Sequence, residues 1–145
     1  RPHHFLGIDE DGMTCVVQTR GNGLGHVILR GGRSGPNYDP VSVIAVEEQM
    51  RAAGLEPRII VDCSHANCGK RARLQAHVLR DVTQQRREGN TSIVGVMLES
   101  NLEEGCQKLG PDISALVYGR SITDPCIDWN TTESLLRETH RKLGG

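Results

Sequence analysis

Three short apolar runs, each closed by polar residues capable of chemistry, constrain this chain more than any other feature. HVILR (26–30) ends in Arg30, PRIIVDCSH (57–65) in Asp62, Ser64 and His65, and SIVGVMLES (92–100) in Glu99 and Ser100. Runs that are continuously apolar, rather than alternating, fit strands of a parallel sheet covered on both faces. Helical patterns lie between them. Asp39-Pro40 reads as the N-cap and first residue of a helix with Val43, Val46, Glu47 and Met50 on one mixed face and Gly54 as its stop. Residues 70–87 read as a charged amphipathic helix, with Leu74, Val78, Leu79 and Val82 at helical spacing. Lys70 and Arg71 fall at its solvated start. A last helix is expected from Thr131 or Thr132 to Gly144-Gly145, with Trp129 packing near it; residues 101–124 read largely as loop. Ahead of all this, HFLGI and TCVVQT flank Asp9–Gly12 as a β-hairpin.

The order is hairpin, then repeated strand–helix units, which places the chain in the α/β class as one domain over residues 1–145, with the hairpin at 3–20 and the strand–helix units at 26–145. An open doubly wound sheet and part of a (β/α)8 barrel both fit. Three units are too few to close a barrel, which typically takes about 250 residues.

Composition narrows the function classes. The 17 basic and 18 acidic residues leave a net charge of −1, so no excess of positive charge marks a nucleic-acid partner. No apolar run is long enough to span a bilayer, and RPHHFLGIDE lacks the apolar centre of a secretory signal, so a cytoplasmic location is expected. The five cysteines are odd in number and form no CxxC pair, which argues for free thiols over a disulfide framework or a zinc knuckle. The first residue is Arg1, and the numbering is expected to start inside a longer chain.

In α/β folds the C-terminal strand ends converge on one rim, where active sites are built. Alone, His65 would read as a satisfied structural histidine and Glu99 as a strand-end partner of some base. Together, an imidazole and a carboxylate at adjacent strand ends suit a divalent ion such as Mn²⁺, Fe²⁺, Co²⁺ or Zn²⁺, with Asp124 able to add an oxygen. Such an ion would polarise a carbonyl. Asp62 either orients His65 or is satisfied by backbone donors. Arg30 with RGGRSG reads as an anion site, a guanidinium fork beside glycine amides. The stretch GNGLG precedes a strand instead of following one, so it is not a dinucleotide fingerprint.

ILRGG, DCSHAN, IVGVMLES and YGRSITDPCIDW, in this order and spacing, resemble type I 3-deoxy-D-arabino-heptulosonate 7-phosphate (DAHP) synthases, from PHHFLG to the last helix. The resemblance implies a (β/α)8 barrel with an added hairpin, in which the runs ending at Arg30, Asp62 and Glu99 are strands six to eight. It implies condensation of phosphoenolpyruvate with erythrose 4-phosphate, the entry to aromatic amino acid biosynthesis, with a divalent metal. The family's ligands carry over to His65, Glu99 and Asp124, and its phosphoenolpyruvate arginine to Arg30. The family's fourth ligand, a first-strand cysteine, has no counterpart here. Its lysine-proline-arginine-threonine loop and two further substrate-binding basic residues are also unmatched. The chain is therefore expected to be the C-terminal part of a synthase, unable to turn over alone. An alternative is a non-catalytic metal- or phosphate-binding half-barrel or interaction module. Phe5, Gly7 and Val17 occupy positions of the inhibitor pocket of feedback-regulated members, where glycine favours tyrosine over phenylalanine. Unpaired outer strands favour association into a homo-oligomer.

Overall fold

The computed structural model of the chain describes residues 1–144. Strands β1 (His4–Ile8) and β2 (Thr14–Gln18) form the expected antiparallel hairpin, with Phe5 opposite Val17 and Gly7 opposite Cys15. The Asp9 carboxylate closes its turn by accepting from the amides of Asp11 (3.1 Å) and Met13 (2.8 Å).

Strands β3 (Val27–Leu29), β4 (Ile59–Asp62) and β5 (Ile93–Met97) form a parallel sheet in the order β3-β4-β5. Leu29, Val61 and Val96 stand at one level, so the three C-terminal ends open on a common rim. The strands are connected by α1 (Pro40–Ala52) and α2 (Gln75–Arg87), and α3 (Trp129–Lys142) follows β5. Asp39 caps α1 as expected, accepting from Ser42 N at 3.0 Å ahead of Pro40. The core gathers Leu29, Ile59, Val61 and Ile93 from the sheet with Val43 and Met50 of α1, Val78, Leu79 and Val82 of α2, and Leu135 of α3.

Four expectations change. The second helix begins at Gln75 rather than at residue 70, because Lys70 takes a left-handed φ of 56° and Ala72–Leu74 form a 3-10 turn. The last helix begins at Trp129, earlier than Thr131, because Asp128 accepts from Thr131 N at 2.7 Å and caps it there. Trp129 itself is 53% exposed rather than packed. The sheet is parallel but not covered on both faces: Ile28, Val94 and Val96 remain 45%, 55% and 37% exposed. The helices all join the cluster built on Leu29, Ile59, Val61 and Ile93, which leaves the alternate residues of β3 and β5 without cover.

Candidate metal centre

The rim holds His65, Glu99 and Asp124, one from each of three segments. Asp62 is the last residue of β4, and the chain turns sharply after it so that His65 comes back over the strand end. That turn costs His65 a φ of +50°, a region that few non-glycine residues occupy. It is held by hydrogen bonds from Cys68 N to Ser64 O (3.3 Å) and from Lys70 N to His65 O (2.9 Å). Glu99 lies two residues beyond β5. Asp124 comes from the long loop before α3, which Ile127 N ties to Glu99 O at 3.0 Å.

Their donor atoms all lie within 4.8 Å of one another. His65 Nε2 is 3.5 Å from Glu99 Oε1 and 3.8 Å from Asp124 Oδ2. On the other side of the ring, Nδ1 is 2.8 Å from Asp62 Oδ2. An ionised carboxylate only accepts, so this contact assigns the proton to Nδ1 and leaves the Nε2 lone pair facing the two other carboxylates. Three acceptors then converge with no donor among them, at separations longer than hydrogen bonds. A nitrogen and two carboxylate oxygens so arranged suit a divalent cation. Burial raises the Glu99 carboxyl above its ordinary range; Asp124 and Asp62 add to the rise, while Arg30, and His65 whenever its ring is protonated, pull against it. Proximity of like charges at a partly buried site is the cost that a bound cation would relieve. The neighbouring Cys63 thiol is pushed up to about 12, by burial first and then by Asp62, so it stays protonated in the metal-free chain.

Two residues that hold this arrangement were not singled out from the sequence. Gln75, fully buried at the start of α2, donates from Nε2 to Glu99 O (3.1 Å) and accepts from Glu99 N at Oε1 (2.8 Å). Asn67 donates to Leu29 O (3.0 Å) and Asp62 O (2.8 Å), bridging the ends of β3 and β4, and accepts from Asn37 N (2.8 Å). Gln75 acts across 24 residues, and Asn67 across 30 and 38 besides its local bond to Asp62. The only local signal was a polar residue at a position that turned out to be buried. Asp62 combines both functions weighed for it: it meets His65, and it accepts from Ser64 N at 2.8 Å.

Arg30 follows β3 directly and is exposed; its charge is felt at Glu99, so it belongs to the same rim. Asn37 Oδ1 accepts from Gly31 N (2.7 Å), and a Cβ at Gly31 would lie 2.7 Å from Ala66 Cβ, so the RGG loop is pressed against the His65 loop. Phe5, Gly7 and Val17 lie together on the hairpin, remote in sequence from the rim. The room beside Gly7 is filled by Val17: a Cβ there would be 2.8 Å from Val17 Cγ2.

Comparison with known proteins identifies the family of the chain. The DAHP synthetase I family matches residues 1–137. The Tyr-sensitive phospho-2-dehydro-3-deoxyheptonate aldolase of Salmonella typhimurium is 48% identical over 145 residues, covering 100% of this chain and 40% of that protein. The tyrosine-inhibited enzyme of Schizosaccharomyces pombe is 44% identical over 138 residues, covering 93% of this chain and 37% of that protein. The structure of the Francisella tularensis phospho-2-dehydro-3-deoxyheptonate aldolase superposes with a TM-score of 0.87 at 39% identity, over 98% of this chain and 41% of that one. The chain thus spans about 40% of the length of the first of these relatives. With its sequence matched nearly end to end and its backbone superposing on a solved relative, the chain belongs to the DAHP synthetase I family.

Proposed function

We propose that this chain is the C-terminal portion of a DAHP synthase, which condenses phosphoenolpyruvate with erythrose 4-phosphate, and that His65, Glu99 and Asp124 are metal ligands of that enzyme. The observation that carries this reading is the convergence of His65 Nε2 with two carboxylate oxygens within 4.8 Å, with no donor between them. On this reading β3, β4 and β5 are barrel strands six, seven and eight of the unit 26–145, and the exposed apolar side of the sheet faces the barrel interior. The hairpin, 3–20, stands outside the barrel.

The residues divide the work as follows. Asp62 fixes the ring and tautomer of His65, and Gln75 fixes the main chain of Glu99. Arg30 binds the anionic enolpyruvate substrate through its guanidinium fork. A bound Mn²⁺, Fe²⁺, Co²⁺ or Zn²⁺ supplies Lewis-acid polarisation of a carbonyl. The chain supplies part of this machinery and is inactive alone. An aromatic amino acid effector, tyrosine in preference to phenylalanine, bound beside Phe5, Gly7 and Val17, agrees with the Tyr-sensitive and tyrosine-inhibited relatives. Homo-oligomer formation and a cytoplasmic location go with the same reading.

Calorimetric titration of the chain with Mn²⁺ tests the metal reading. Binding should be saturable, and His65→Ala and Glu99→Ala should each weaken it by about 10- to 100-fold or more, while Asp62→Asn weakens it less. Binding that is indifferent to all three substitutions would remove the site. The alternative is a non-catalytic metal- or phosphate-binding half-barrel or interaction module. A turnover assay with both substrates separates the two once the chain is joined to a synthase N-terminal portion: restored activity supports the synthase, and Mn²⁺ binding without it supports the half-barrel.

A further inference from the structure

At the end of the parallel strands opposite the His65 rim lies a cavity of about 490 Å³. It is bounded by the run 20–26, by the start of β3 and by the segment that follows α1. This volume is within the usual range of small-molecule sites. Arg1, Arg20, His26 and Arg58 line it, against one carboxylate, Glu56. Among the described residues, no carboxylate lies within ion-pair distance of Arg20, His26 or Arg58. Arg1 is partly used, donating to Ala53 O at 3.4 Å at the end of α1.

The glycine-rich run adds a second feature. Among the described residues, the amides of Gly21, Asn22, Gly23 and His26 donate to no other protein group, whereas Leu24 N is taken by Asn22 Oδ1 at 2.8 Å and Gly25 N closes the turn at residues 23–24. Gly21 has a φ of +75°, and a Cβ on it would lie 2.6 Å from the Arg1 carbonyl carbon, so the run is folded closely against the first residues. Free amides in a glycine-rich bend are anion donors, and unpaired guanidiniums are forks for phosphate oxygens. The rest of the lining is apolar: Val27, Met50 and Leu55.

We propose that this cavity binds a small phosphomonoester, its phosphate held by Arg20, Arg58 and the 21–26 amides and its organic part against Val27, Met50 and Leu55. The site is separate from the rim and does not depend on the metal reading.

Proton–nitrogen correlation spectra of the whole chain, with EDTA present to keep the rim metal-free, test it. Phenyl phosphate should shift the amides of residues 21–26 saturably, and should bind about tenfold more tightly than inorganic phosphate because its ring is buried against the apolar lining. Arg20→Ala and Arg58→Ala should each weaken binding about tenfold. Arg30→Ala should leave these shifts unchanged, which separates this site from the rim. Should Arg58→Ala disturb the β3–β4 amide pattern, Arg20→Glu at an exposed position carries the test and should abolish the shifts. No saturable shift in this loop, undiminished shifts in the Arg20 variants, or binding of inorganic phosphate with the monoester excluded would each overturn the proposal.

Discussion

The two sheets of this chain are both built largely from apolar residues and have opposite fates. In the hairpin, Leu6, Ile8 and Val16 are 74%, 75% and 66% exposed, and no hairpin residue enters the core. In the parallel sheet, Ile59 and Val61 are fully buried and Leu29 is 4% exposed. Both sheets use β-branched and apolar residues suited to strands. The difference lies in what covers them: three helices fold onto the second sheet, and nothing among residues 1–144 folds onto the first. A two-stranded hairpin without cover is marginal in water, so cohesion is concentrated in the parallel unit.

The strongest way to break this comparison is truncation on each side of it. Ile59→Ala should cost about 2–5 kcal/mol, as for a large side chain removed from a packed core, whereas Leu6→Ala should cost no more than about 0.5 kcal/mol. Urea unfolding of the chain measures both, and equal losses would mean that the hairpin is as deeply integrated as the sheet. Next is Gln75→Leu. It strands the Glu99 amide beside the rim and should cost about 1–3 kcal/mol, with faster hydrogen exchange at that amide. A loss near zero would show that water replaces the glutamine without penalty. Removing the cap of the last helix by Asp128→Ala should lower stability by about 1 kcal/mol in thermal unfolding, with the first turn of α3 fraying first.

The smallest effect concerns an exposed network that links two helices outside both sheets. Arg80 and Lys142 meet Glu138 at 2.9 and 2.7 Å, and the hydrogen bond from Arg80, then that from Lys142, lowers the Glu138 carboxyl from 4.5 to about 2. A carboxyl with a depressed folded-state pKa contributes its stability fully above its unfolded value. The contribution fades as pH falls from about 4.5 toward 2. Arg80→Ala should therefore flatten part of the acid limb of a stability–pH curve. The effect should be slight and should shrink further in high salt, since the pair is solvent-exposed. An acid limb unchanged by the substitution at low salt would remove Glu138 from the account.

The same contrast explains what could be read from residues alone. Strand runs with polar closures announced the rim, because a chain that ends three buried strands in Arg30, Asp62 and Glu99 has little else to do with them. Asp39-Pro40 announced α1 because a cap is a local event. The start of α2 was misplaced because periodicity at Leu74 extends into residues 70–74, while the left-handed Lys70 depends on a loop closed by His65. The start of α3 was missed because Thr131 and Thr132 also resemble caps, and only the fold shows that Asp128 takes that place. Gln75 and Asn67 were invisible for a different reason. Their partners are main-chain atoms, most of them in distant segments, and main-chain atoms leave no trace in sequence. The uncovered face of the sheet was likewise unreadable, since an apolar residue looks the same whether or not something lies over it.

The grip of Gln75 on Glu99 has a practical side. Because both the amide and the carbonyl of that residue are held by one buried side chain, the main chain there serves as a fixed socket. What is plugged into it can be exchanged. Asp, Gln or His at position 99 would present a different head group from the same anchor point. The donor chemistry of the rim could then be redesigned one atom type at a time, with each variant's behaviour traceable to the head group rather than to a shifted backbone.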